Sequence, residues 1–361
     1  MPRAAVHRPE FKTYNGQSQS PLFRLLPAEV RNLIFTYALS PYEDTSNAYS
    51  KETYWTRPGY SAPHKTSTAL LRACKRTYAE TWFMPFALAD HTFYLTAQDR
   101  APQNPWFDKK AYSDFLKTIH AAYAGGVEIQ NVQIFAQLYK LEPGEMISDL
   151  LDTPHLRPRY VRLTIRYTDF WHWENNRPLY IDGTWVGKVR FPDSVRAFVI
   201  DFESLERRKE EVDFVSQGAV EKWTFKRQDG RLLQADKEMS VSKWTGSSML
   251  GGRRWVRDEE RPGQLDYYVV TATWKLSSET ESPEAEEGDL KVRVPDDYQQ
   301  PEPPYTEYSS IPEEDMRAFG ATMDMPAQTA VDAVYSRRHK CGTSRVRQYR
   351  RCTKPGRFRR A

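Results

Sequence analysis

A chain of 361 residues with 13% aromatic content can fill a sizeable core, as one large domain or two. Its apolar fraction of 39% and mean hydropathy of −0.74 imply that part of it stays solvated. No stretch approaches the roughly 18 apolar residues of a membrane span, Met1 to Ser20 lacks a signal-peptide h-region, and Cys74, Cys341 and Cys352 cannot build a disulfide framework, so the expected location is nuclear or cytoplasmic and not secreted.

Residues 1–20 have few apolar positions and no period, and read as a flexible leader. Val30, Leu33, Ile34, Tyr37 and Ala38 then recur at helical spacing and make one face of an amphipathic helix. Pro27 suits its first turn, Glu29 its positive end, and Ser40-Pro41 its stop. A polar loop over 42–66 leads to a second helix with Leu71, Cys74, Tyr78 and Trp82 on one face, ending before Pro85. His91 to Leu95 reads as a short strand. A third helix carries Tyr112, Phe115, Leu116, Ile119 and Tyr123, and Gly125-Gly126 ends it. From there strands dominate, around Val132, Val161, Val195, Trp223 and Tyr267–Leu276, with short helices at Glu145–Leu151 and Glu203–Val215. The even spacing of the strand starts suggests irregular strand–helix units. After Leu276 order signals fade. Thirteen acids between Ser277 and Asp315 precede eleven Lys and Arg between Tyr335 and Ala361, and charge blocks of this kind stay solvated.

Two segments carry a resemblance. The first is Leu26-Pro27-Ala28-Glu29-Val30, followed by Ile34 on the same helix. The second is Leu70-Leu71-Arg72-Ala73-Cys74-Lys75-Arg76-Thr77-Tyr78-Ala79-Glu80, followed by the aromatic strand Thr92-Phe93-Tyr94-Leu95. Residues 22–95 thereby resemble the fungal F-box-like domain family. Together with the expected elements this gives an α+β chain. An N-terminal helical F-box-like module over 21–126 would pack on a mixed, β-rich region over 127–276, with a disordered acidic-then-basic tail over 277–361. The resemblance implies docking: in true F-box proteins such a module binds the adaptor subunit of a cullin-RING ubiquitin ligase, and the C-terminal region captures the substrate. Leu26, Pro27, Val30, Ile34, Leu71, Cys74 and Tyr78 are then the expected partner-binding residues.

The chemistry-bearing groups are sparse. Asp201 and Glu203 stand two apart, so both could face one way and act as an acid–base or metal pair, but Glu203 also falls where a helix is expected to begin and suits a helix start there. Asp169-Phe170-Trp171-His172-Trp173-Glu174 could line a pocket with Trp171, His172 and Trp173, or pack its indoles in the core. An enzyme would draw on Asp201, Glu203, His172 and Asp169. His339, Cys341 and Cys352 are too few and too widely spaced for a closed zinc site. No Ser-His-Asp or Cys-His pattern with family-like context and no phosphate loop is visible, so the expectation is a non-catalytic interaction protein without a cofactor or metal. Arg337, Arg338, Lys340, Arg350, Arg351, Lys354, Arg357, Arg359 and Arg360 form basic clusters suited to an import receptor or to nucleic acid.

Overall fold

The structure, a computed structural model, describes residues 15–102, 109–122, 127–277 and 289–336. The expected basic tail lies outside the described residues. The chain is α+β, with helices around a large curled mixed sheet. It divides into two units, Met1–Trp244 with Tyr267–Pro301, and Thr245–Asp266 with Glu302–Ala361. Among the described residues no helix is long and apolar enough to cross a membrane.

The first unit begins with helix α1 (Ala28–Leu39), a 3-10 turn at Leu70–Arg72, and helices α2 (Lys75–Thr81) and α3 (Met84–Leu88). Strand β1 (Asp90–Leu95) and helix α4 (Lys109–Ala122) follow. Strand β2 is Ile129–Ala136, helix α5 Glu145–Leu151, strand β3 Pro158–Ile165, strand β4 Arg190–Phe191 and strand β5 Ala197–Leu205. Helix α6 (Lys209–Lys222) leads to β6 (Phe225–Arg227), β7 (Leu232–Ala235), β8 (Ser240–Ser247) and β9 (Gln264–Leu276). The sheet order is β1-β2-β3-β5-β9-β7-β6-β4, with β8 also on β9. The pairs β1/β2, β2/β3 and β3/β5 are parallel, and β9 closes on β5 antiparallel. Parallel neighbours need a crossover between them, and α4 and α5 supply two of these, as the spacing of the strand starts suggested. Because β1 pairs with β2, a boundary at residue 126 would cut the sheet between two bonded strands.

The pleat sorts the residues. Ile134, Leu163, Ile200 and Ala272 stand in register on one face, as do Val132, Val161, Phe198 and Trp274. That face packs against Ile147, Leu151, Trp185, Val212, Val215 and Ala219. The opposite face carries Phe135, Thr164, Asp201 and Thr271 in one register row. The loop expected at 42–66 covers it, with Tyr60 edge-on to Phe135 at 5.0 Å. The central strands are therefore enclosed on both sides, which accounts for the apolar run before Asp201.

Three expectations are corrected. The second helix is broken, because Cys74 adopts an extended backbone (φ −161°) and accepts from Thr77 N at 3.4 Å to cap α2. Glu203 does not start a helix; it lies inside β5 opposite Val269, and α6 begins only at Lys209. Order does not stop at Leu276. Val292–Arg293 pairs with Tyr180–Ile181. In the second unit Ile311–Pro312 joins a small sheet with Arg253–Arg254 and Met249–Leu250. Helix α7 (Glu313–Phe319) follows, with three acids in its first turn, and then α8 (Ala327–Val331). A few apolar residues of this polar stretch suffice: Val292 and Val294 enter the core of the first unit, and Ile311, Met316, Ala330, Val331 and Val334 build that of the second. The buried pair Arg254–Glu259 sits there at 2.7 Å, with Arg254 also donating to Thr322 O.

On β1, His91 Nε2 faces Phe86 O at 2.9 Å and Nδ1 faces the Tyr112 hydroxyl at 3.1 Å. Burial pushes this imidazole below its ordinary range, against the pull of the Phe86 carbonyl and Asp90. The unfolded ring takes up a proton near pH 6.5 while the folded ring resists it. Stability should therefore fall as pH drops through that value and level off below the folded pKa. Thermal melts across this range should show a smaller slope for His91→Gln than for the parent. An unchanged slope would mean that His91 titrates alike in both states.

Candidate functional site

The N-terminal helices place two apolar sets on α1. Phe35 and Leu39, four apart, are fully buried and pack with Met84, Leu22, Phe23, Leu70 and Leu71. Val30, Leu33, Ile34 and Tyr37 point the other way and are 41%, 56%, 40% and 76% exposed, with Leu25 at 70% just upstream. Isolated exposed leucines need no explanation, whereas a contiguous stripe at helical spacing marks a contact surface. Burying the part of each side chain still exposed would add a fraction of the roughly 1.5–3 kcal/mol that complete burial of an apolar side chain brings. That is driving force left unused within the chain.

The two motif segments are tied together under this stripe. Glu80 on α2 accepts from Arg31 Nε on α1 at 3.2 Å and from Arg76 Nε at 3.2 Å. Arg31 Nη1 also donates to Leu26 O at 2.9 Å. The Phe23 ring lies 5.5 Å from the Arg31 guanidinium and 4.3 Å from that of Arg76. The partly buried charges fix the pitch of α1 against α2, so the stripe is presented on a defined frame.

The expected partner-binding residues divide accordingly. Pro27, Val30 and Ile34 are exposed beside or on the stripe, and Leu26 is half-buried. Leu71 packs inward on the Phe35–Leu39 cluster. Cys74 acts as a helix cap, and Tyr78 is half-buried. Leu25, Leu33 and Tyr37 belong to the stripe although the motif match does not single them out. Helical spacing from Val30 is the signal that finds Leu33 and Tyr37.

The carboxylates expected of an enzyme do face one way, yet each is saturated. Asp201 accepts from Arg162 Nη1 at 2.9 Å, Thr164 Oγ1 at 2.9 Å and Thr271 Oγ1 at 2.7 Å. Glu203 meets Arg57 at 3.0 Å and Trp244 Nε1 at 3.0 Å. Burial pushes its carboxyl up, opposed by Arg57 and Trp244. Asp169 is held by Arg166 Nε at 2.6 Å and Nη2 at 3.0 Å. The aromatic run separates as well. Trp173 is buried edge-on to Tyr167 at 5.2 Å. Trp171 is half-buried and donates Nε1 to Glu142 at 2.7 Å. His172 is exposed, in a left-handed backbone (φ 52°). Two of the clefts lined by described residues lie on this unit. One of about 650 Å³ runs from His172 to Ile181 and along Lys291–Tyr298. The other, of about 530 Å³, lies around Asp152–Arg157 and Pro192–Ser194. Neither is lined by Asp169, Asp201 or Glu203. Among the described residues no group of three or more His, Cys, Asp or Glu is placed to hold a metal ion.

No relative emerges from comparison with known proteins. No family model matches the chain, and the curated proteins and solved structures give no significant match. The functional reading therefore rests on the geometry of the site and on the residues that carry the F-box-like resemblance.

Proposed function

We propose that this chain is a non-catalytic protein-interaction module that docks a partner through the stripe Leu25, Val30, Leu33, Ile34 and Tyr37. The carrying observation is that α1 turns a second apolar face outward while Phe35 and Leu39 already anchor the helix. The adaptor subunit of a cullin-RING ubiquitin ligase is the partner to which the F-box-like resemblance leads. In that reading the chain acts in the nucleus or cytoplasm as a substrate receptor, and the sheet-bearing region supplies the second contact. A helix-on-groove contact uses anchors at i, i+3, i+4 and i+7, the spacing of Val30, Leu33, Ile34 and Tyr37.

Purified full-length chain and purified adaptor provide the test. Leu33→Asp with Ile34→Asp should abolish co-elution, because charges would replace central anchors of the contact. The melting temperature should hardly move, since both side chains are exposed and surface changes are usually within ±0.5 kcal/mol. A parent chain that never binds the adaptor removes the ligase assignment. Binding that survives the double substitution removes the stripe.

A further inference from the structure

Separate from α1, the cleft of about 650 Å³ has a chemistry of its own. Its walls come from two short strands, Tyr180–Ile181 and Val292–Arg293, paired antiparallel with Ile181 opposite Val292 and Tyr180 opposite Arg293. Leu179, Ile181, Val292 and Val294 are buried and anchor this ribbon in the core of the unit. The charged side chains at the rim are mostly cationic: Arg177, Lys291 and Arg293, against the single acid Asp296 among the described lining residues, with the His172 ring beside them. Asp296 answers Arg293 at 3.3 Å. Among the described residues Arg177 and Lys291 make no ion pair. Lys291 acts electrostatically on Glu142, whose two oxygens are taken by Trp171 Nε1 at 2.7 Å and Asp182 N at 2.9 Å.

The rim is also held in place. The Trp173–Asn175 turn is bracketed by two non-glycine residues in the left-handed region, His172 (φ 52°) and Asn176 (φ 54°). Such backbone costs of order 1–3 kcal/mol per residue and persists where the surroundings impose it. Here Trp173 is buried, and Arg208 Nη2 grips the Arg177 carbonyl at 2.6 Å. The Arg177 backbone is thereby held on the same cleft as Lys291 and Arg293, with Tyr180 and Tyr298 adding half-exposed aromatic surface. Arg177 and Lys291, two cations that make no ion pair among the described residues, stand around an apolar floor and suit an extended segment that carries carboxylates and a few apolar side chains.

We propose that this cleft is a binding site for an acidic peptide segment of a partner protein, with Arg177 and Lys291 as its principal charge contacts. The occupant is specified by charge complementarity, and a pair formed at such a half-open site is screened by salt.

A fluorescent Glu-rich peptide and its Gln counterpart, titrated into the full chain, decide the matter. The Glu peptide should bind at least about tenfold more tightly than the Gln peptide, and its affinity should fall as salt rises. Arg177→Glu with Lys291→Glu should remove that preference and leave the melting temperature within a degree or two, because both side chains are exposed. Leu33→Asp with Ile34→Asp should leave peptide affinity unchanged, so failure here and failure of the α1 reading are told apart. Equal binding of the two peptides, or an undiminished preference after charge reversal in a chain of unchanged melting temperature, would overturn the proposal. If charge reversal unfolds the chain, the milder Arg177→Gln with Lys291→Gln takes its place, and an undiminished preference there is equally fatal.

Discussion

Trp223→Ala should lower the stability of the chain by about 3–5 kcal/mol, the usual result of deleting a buried aromatic side chain. Trp223 is 1% exposed and sits where three parts of the first unit meet. Its ring lies edge-on to Trp185 at 5.7 Å and parallel to Trp274 at 6.5 Å. Its Nε1 donates to Leu290 O at 2.8 Å, and its own carbonyl accepts from Trp274 Nε1 at 2.8 Å. Gly183 leaves room for this arrangement, because a Cβ there would overlap the Leu290 carbonyl. Alanine would thus leave a cavity in the aromatic core and an unanswered carbonyl on the segment that carries Val292 and Val294. Trp223→Phe keeps most of the aromatic volume and should cost less. Urea unfolding of both variants gives the ordering. A Trp223→Ala loss below about 1 kcal/mol would show that this core closes readily around the gap.

The part of the fold that was legible in the sequence is the part governed by local period. Glu145–Leu151 is a helix as expected, α1 starts and stops within a residue or two of Pro27 and Ser40, and Val132 and Val161 lie in adjacent parallel strands. What was not legible depends on distant partners. Ser240–Ser247 is polar and largely exposed, and it is a strand only because β9 offers it an edge. Residues 289–294 do alternate Leu290, Val292 and Val294 with Lys291 and Arg293, and Val292 pairs with Ile181, more than a hundred positions earlier. Three apolar positions are a short signal, and the acid-rich composition around them outweighed it.

The candidate site shows the same division. The periodicity of Val30, Leu33, Ile34 and Tyr37 was visible, but period alone does not say whether a stripe faces the core or the solvent. Phe35 and Leu39, one position out of step with Ile34 and Ala38, are the residues that settle it, because one helix cannot bury both faces against the same cluster. The surroundings of Asp201 and Glu203 were not legible for a related reason. Asp201 and Glu203 are spaced like a catalytic pair, and only the three-dimensional neighbours Arg57, Arg162, Thr164 and Trp244 reveal them as hydrogen-bonded supports of the covered sheet face. Arg57 and Trp244 come from segments far apart in the chain, which no local pattern links.

Glu211→Ala should cost about 3–5 kcal/mol, the penalty for leaving one member of a buried ion pair behind. Arg208 and Glu211 are fully buried and joined at 2.7 Å and 3.0 Å, one turn apart at the start of α6. Glu211 also accepts from Leu179 N at 2.9 Å and Gln300 Nε2 at 2.9 Å, while Arg208 holds the Arg177 carbonyl. The pair therefore binds α6 to the segment that forms the cationic cleft. Its removal should loosen Arg177–Leu179 as well as destabilise the unit. Arg208→Met with Glu211→Leu provides the comparison, since replacing a whole buried pair with apolar groups is often neutral or stabilising. If the double variant recovers most of the stability but not the preference for a Glu-rich peptide, the pair serves chiefly to position the Arg177 loop. If Glu211→Ala alone leaves the unfolding midpoint unchanged, Arg208 must reach solvent or another acid, and the buried bridge does not hold this part of the fold.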